Sequence, residues 1–324
     1  MRAEEDLWTG RVDSHDDPDS FRLHQVVERM SVDQLKDSDP YFAFIGFESD
    51  EGVRRNKGRQ GASKAPDEIR RHLAKIPNHL KTQLVDVGNI VCQGRALEEA
   101  QSSLGNQVAK LLGSHGTPII LGGGHETLYG HYLGARKHLG SDKSVGIINI
   151  DAHFDLRNDP EPSSGTMFRQ ILEQDPKAGY LCLGIQRFGN TPALFHTADQ
   201  LGCEYVLEEE LEHNNFAETF NIIDTFSDRF DYIILTLCTD SIIASSAPGV
   251  SAPSPTGIEP KTAKKLLHHI SRRNNLLSFD ISEVNPMLDR EEQTVRLASY
   301  LVAEVMVGID SWKSENALKN EMGD

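Results

Sequence analysis

Short runs of consecutive apolar residues, many of them β-branched, recur along the chain and alternate with longer stretches of helical periodicity. The runs fall at 41–47, 84–87, 118–121, 145–150, 180–185, 204–207, 232–237 and 276–279. Apolar residues on successive positions predict strands covered on both faces, because a half-exposed strand would alternate apolar with polar. Between them, 65–76, 97–112, 216–230, 260–273 and 290–306 repeat apolar residues three and four apart, as amphipathic helices do. Strand and helix alternating this often predict an α/β fold, a mainly parallel sheet of about eight strands with helices on both faces. Residues 1–40 are charged and broken by DSHDDPDS, and they read as a partly ordered lead-in. No repeat and no Gly- or Pro-rich linker divides 41–324, which reads as a single domain.

Charge narrows the partners. The 324 residues hold 49 acidic against 33 basic side chains, a formal net charge of −16. Nucleic acid and anionic membrane both need clustered cations, so neither is expected as a partner. The acidic opening MRAEEDLWTG carries no apolar run of the signal-peptide kind, and nothing approaches the roughly 18 apolar residues of a membrane span. A cytoplasmic protein is expected. Cys92, Cys182, Cys203 and Cys238 form no CxxC pair, which suits reduced thiols.

Ligands of open α/β sheets gather beyond the carboxyl ends of the strands, so the residues after each apolar run carry the candidate chemistry. Gly122 to Gly124 and His125 follow 118–121; Asp151, His153 and Asp155 follow 145–150. Cys238 and Asp240 follow 232–237, and Asp280, Glu283 and Asn285 follow 276–279. Alternation along an extended chain turns Asp151, His153 and Asp155 to one side. A lone histidine or aspartate at a strand end is commonly structural. D-x-H-x-D joined by similar groups after three other strands points instead to a cation that neutralises them. Carboxylates with imidazole and no thiolate pair suit Mn(II) or another octahedral first-row ion better than structural zinc. The number of carboxylates suggests two ions, with Asp151 or a neighbour bridging, and a bridging water deprotonated near neutral pH would serve as nucleophile. The triple glycine is either a plain turn or a close approach of backbone to the ligand loop.

These residues resemble the ureohydrolase family of arginases and agmatinases. The resemblance rests on GGGHE, DAHFD, the strand ending in Asp240, SFD followed by Glu283, and an early segment with Gly58, Gly61, Ala62, Pro66 and Arg70. It runs from about Ala43 to Val307. Within the family the chain is most similar to the formimidoylglutamases, through Trp8, Gly10, Arg11, Asp13, His24 and Gln25, and through DEGVRRNKGRQGA, DLRND, SSGTMFRQ, GIQRFGNT and APGVSAPSP.

The resemblance implies a three-layer arginase-like fold and two Mn(II) ions held by His125, Asp151, His153, Asp155 and Asp240. Cys238 stands where arginases have the first aspartate of D-x-D, and it either ligates or sits beside the metals. Asp240 and Glu283 would be the catalytic pair, Glu283 facing the cationic end of the substrate; a solvated loop carboxylate is the plainer alternative for Glu283. No histidine occurs in the segment Ser163-Ser164-Gly165-Thr166-Met167-Phe168-Arg169, where arginases keep a proton shuttle. Arg157, Ser164, Gly165, Arg169, Arg54 and Arg55 are the candidates for binding substrate carboxylates, each arginine having an ordinary surface role as its alternative. The implied activity is hydrolysis of N-formimino-L-glutamate by a homo-oligomeric enzyme of histidine degradation. A guanidino substrate, as in agmatinase or guanidinobutyrase, and a non-catalytic relative of the fold are the other readings.

Overall fold

The apolar runs become strands of one sheet in the computed structural model, which describes residues 6–35, 39–213 and 216–322. In chain order the strands are β1 (Val27–Arg29), β2 (Tyr41–Glu48), β3 (Gln83–Val91), β4 (Gly116–Leu121), β5 (Val145–Ile150), β6 (Ala178–Ile185), β7 (Glu204–Leu207), β8 (Tyr232–Cys238) and β9 (Leu276–Ser282). Side by side they run β1-β3-β2-β4-β9-β8-β5-β6-β7, and each pair of neighbours is parallel. Every strand expected from the apolar runs is present. The ninth, β1, comes from the lead-in; its sequence Val-Glu-Arg has no pattern, and pairing with β3 makes it a strand.

Both faces of the sheet are covered, as consecutive apolar residues require. On β2, Tyr41, Ala43, Ile45 and Phe47 pack with the helix Leu97–Gly113, while Phe42 and Phe44 face the other way toward Ala65–Leu73. The result is the three-layer arrangement of helices, sheet and helices. The expected helices form at Ala65–Leu73, Leu97–Gly113, Phe216–Ser227, Pro260–Ser271 and Gln293–Met322, the last running further than its apolar pattern.

The helix Thr127–Leu139 was not foreseen. Gly130 and Gly134 weaken its apolar stripe, yet they are what lets it lie close to Leu97–Gly113. A Cβ on Gly134 would stand 2.5 Å from Val108 Cβ.

The lead-in is tied to the sheet by a buried polar knot. Trp8 packs its ring against Phe44 and donates its indole N–H to Asp86 at 2.6 Å. Arg70 is 1% exposed and grips the same carboxylate through two bonds of 2.9 Å. Breaking a buried ion pair strands the surviving charge, so Asp86→Ala is expected to cost about 3–5 kcal/mol of stability. Urea denaturation reads this, and a loss below about 1 kcal/mol, the size of an exposed pair, would show that the knot is not structural.

Candidate metal centre

Four neighbouring strands at the middle of the sheet, β4-β9-β8-β5, deliver the candidate residues to one edge. The chain leaves β4 and returns as β5 only after passing the positions of β9 and β8, the strand-order switch at which open α/β sheets bind ligands. His125 follows β4, Asp151, His153 and Asp155 follow β5, Cys238 ends β8 with Asp240 just beyond, and Glu283 follows β9. The glycines before His125 serve a close approach of backbone: a Cβ on Gly123 would meet the Ser49 carbonyl oxygen at 1.8 Å. His125, His153, Asp155, Cys238, Asp240 and Glu283 share the wall of a cavity of about 230 Å³.

Two donor groups meet at Asp151. His125, Asp151 and Cys238 form one, and Asp151, His153 and Asp240 the other, the offered atoms of each lying within 4.8 Å of one another. His125 Nδ1 is 3.0 Å from Asp151 Oδ2 and 3.1 Å from Asp155 Oδ2. His153 Nδ1 is 3.6 Å from Asp151 Oδ1 and 3.4 Å from Asp240 Oδ2. Asp151 is the residue common to both groups.

The electrostatics ask for a cation. Burial opposes charge on His125, yet hydrogen bonds to Asp151 and Asp155 push its imidazole well above the ordinary histidine range. Burial likewise opposes charge on His153, and the charges of Asp240 and Asp151 push it up as well. Burial works to raise Asp151, but the two imidazoles hold it well below the usual carboxylate range. Imidazoles hemmed in by buried carboxylates mark a place that favours positive charge, and the hard oxygen and nitrogen donors fit a metal ion there. Asp155 (φ 50°) and Glu283 (φ 66°) both take left-handed backbone conformations, a cost that aims their carboxylates inward.

Glu283 Oε1 accepts the backbone N–H of His125 at 2.9 Å. Burial, Asp240 and Glu126 together push its carboxyl well above the ordinary range. Cys238 donates its thiol hydrogen to Asp240 Oδ1 at 2.9 Å. Burial, then the charges of Asp151, Asp240 and Glu283, push the thiol up.

The expected substrate residues divide. Arg157 and Ser164 line the cavity, and Gly165 backs them, its carbonyl accepting the Arg157 N–H at 2.9 Å. Arg169, Arg54 and Arg55, expected beside them, do not line the cavity. Arg169 is drawn along its own helix to Glu173 at 2.7 Å. Arg54 and Arg55 both bind Glu51, and Arg55 also reaches Glu98 at 2.6 Å. In each case a carboxylate three or four residues away on the same helix competes successfully for the guanidinium.

Asn56, Asn190 and Ser251 line the cavity without having been picked out from sequence. Asn56 donates to Ser164 Oγ at 3.2 Å, while its Oδ1 is buried without a partner among the described residues, leaving an acceptor on the cavity wall. Asn190 receives the Phe154 N–H and donates to the Ala152 carbonyl, pinning the D-x-H-x-D loop. Its signal was the segment GIQRFGNT, whose residue types say nothing of what they hold.

The model of the arginase family matches residues 41–308. A formimidoylglutamase of Geobacillus sp. (strain WCH70) is 51% identical over 310 residues, covering 94% of this chain and 95% of that one. Another, from Clostridium tetani, is 41% identical over 93% of this chain and 94% of its own. Among solved structures, formimidoylglutamase from Bacillus subtilis has the same fold, with a TM-score of 0.80 at 23% identity over 91% of this chain and 94% of that one. Formiminoglutamase from Trypanosoma cruzi, crystallised with Mn2+, has a TM-score of 0.76 at 25% identity over 87% of this chain and 98% of that one.

Because Asp151 belongs to both donor groups, Asp151→Ala is expected to remove bound metal from both, whereas His153→Ala spares one. Elemental analysis after loading with Mn(II) compares them, and equal, full metal content in both variants would end the two-ion proposal. Cys238→Asp offers a hard donor in place of a soft one and is expected to bind Mn(II) more tightly than the native protein. Identical affinity in native protein, Cys238→Ser and Cys238→Asp, measured by chelator competition, would mean that this position does not govern the metals.

Proposed function

We propose, because this chain belongs to the arginase family, that it hydrolyses N-formimino-L-glutamate to L-glutamate and formamide in histidine degradation. The observation that carries this reading is the convergence of donors on Asp151 beside a cavity walled by Glu283 and Arg157. His125, Asp151, His153, Asp155, Cys238 and Asp240 would hold two Mn(II) ions. Once bound, such ions polarise the substrate and lower the pKa of a coordinated water toward neutrality.

The chain's own groups do the rest. Glu283, buried on the cavity wall, takes the planar cationic formimino group, whose charge draws the carboxyl back to its ionised form. Asp240 accepts a proton on its carboxylate and passes it to the departing glutamate nitrogen. The segment 163–169 offers no histidine for that transfer. Arg157 lines the cavity, and among the described residues no carboxylate pairs with its guanidinium, which leaves the planar fork for a substrate carboxylate. Ser164 and Gly165 complete that wall.

No helix among the described residues is long and apolar enough to cross a membrane. A cytoplasmic, homo-oligomeric enzyme is the form this reading takes.

A substrate panel with added Mn(II) tests the assignment: formiminoglutamate, arginine, agmatine and guanidinobutyrate. Turnover of agmatine or guanidinobutyrate in preference to formiminoglutamate would move the chain to a neighbouring ureohydrolase activity. Arg157→Ala is expected to cost about 1.5–3 kcal/mol in kcat/KM for formiminoglutamate, mostly through KM. Unchanged kinetics would place the carboxylates elsewhere. Arg169→Ala, removed from the cavity, is expected to leave KM as it was.

A further inference from the structure

A stripe of polar side chains crosses the apolar interior behind the metal site. Thr236 on β8 lies beside Asp280 on β9 in the strand register, and alternation along β9 puts Ser278 and Ser282 on the face of Asp280. The helix Thr127–Leu139 lays His131 against them. Thr236, Asp280, His131 and Ser278 are all 0% exposed. Their contacts make one continuous chain from the candidate ligand. His125 Nε2 stands 3.1 Å from Thr236 Oγ1, which is 2.8 Å from Asp280 Oδ1. Asp280 Oδ2 is 2.7 Å from His131 Nδ1, and His131 Nε2 is 2.5 Å from Ser278 Oγ.

Donor and acceptor accounting gives this chain a direction. A carboxylate only accepts, so the single Thr236 hydroxyl proton goes to Asp280. Thr236 Oγ1 can then only accept from His125, so Nε2 carries a hydrogen and is closed to a metal. Nδ1, within 3.1 Å of both Asp151 and Asp155, points its own hydrogen at carboxylates that only accept, and it is the nitrogen that opens when a cation takes that hydrogen's place. Beyond Asp280, His131 donates from Nδ1 and receives the Ser278 hydroxyl on Nε2.

We infer that His131, acting through Asp280 and Thr236, is a positioning residue that sets the tautomer of His125 and so presents Nδ1 to the metal. The inference rests on the reading of His125 as a ligand. Buried polar chains are costly unless every member is satisfied. Asp280 Oδ1 is served by Thr236 and by Ser282 at 3.2 Å, whereas the bond found at Oδ2 comes from His131. Without His131, a carboxylate that rotates to satisfy Oδ2 releases the Thr236 hydroxyl. That hydroxyl is then free to donate to His125 Nε2, which leaves the neutral ring's one hydrogen on Nδ1 and blocks ligation.

Mn(II) affinity, measured by competition with a chelator in the absence of substrate, tests this together with the melting temperature of metal-free protein. Thr236→Val and His131→Leu are expected to weaken Mn(II) binding by about 10–100-fold. Thr236→Ser keeps a hydroxyl, and His131→Asn keeps an N–H where Nδ1 stood, so both are expected to bind like the native protein. Variants that melt lower yet hold Mn(II) with native affinity would overturn the inference, leaving the stripe a packing feature. Should His131→Leu fail to fold, the isosteric Thr236→Val carries the test. His125→Ala separates the two readings: native Mn(II) affinity there would overturn the assignment of His125 as a ligand instead.

Discussion

The arrangement turns on a concentration of negative charge at the end of an apolar sheet. Asp151, Asp155, Asp240 and Glu283 come together where β4, β9, β8 and β5 stop, over strands built from isoleucine, leucine and phenylalanine. Like charges in so poorly solvated a place repel strongly, and the surrounding structure is arranged to hold them there. His125 and His153 stand between the carboxylates, a backbone N–H serves Glu283, and Asn190 ties down the loop that carries three of the donors. The parallel sheet with its strand-order switch brings four loops, far apart in sequence, to one point.

This dependence explains which parts could be read from sequence. Strands buried on both faces announce themselves as apolar runs, and a ligand loop continuing a strand keeps its alternation, so Asp151, His153 and Asp155 were visible as a set. His125, Cys238, Asp240 and Glu283 were visible because each directly follows a core strand. The arginines were harder. Arg157 and Arg169 both follow the ligand loop and look alike in sequence, but Glu173 sits one helical turn beyond Arg169 and captures it. Arg54 and Arg55 are held away from the cavity in the same way, with Glu51 a turn before them. Local pairing within a helix was available in the sequence; what the cavity's rim looked like was not.

Other features have no local signal at all. His131 lies in a helix whose glycines disguise its periodicity, and its partners Ser278 and Asp280 come from a strand 147 and 149 positions later. Only the register of β8 against β9 puts Thr236 beside Asp280. The knot of Trp8, Arg70 and Asp86 is similar: three residue types common in many settings, joined across 78 positions by packing.

The sheet's two outermost strands bear on how the molecule meets its neighbours. β1 has three residues and β7 has four, and they carry Glu28, Arg29 and Glu204. A strand so short, with charged side chains, is a poor template for a strand from another copy, since only a few ladder bonds could form before the charges needed solvent. The longer, apolar strands that would template well lie inside the sheet. Edges of this kind work against one copy's sheet continuing another's into a fibre.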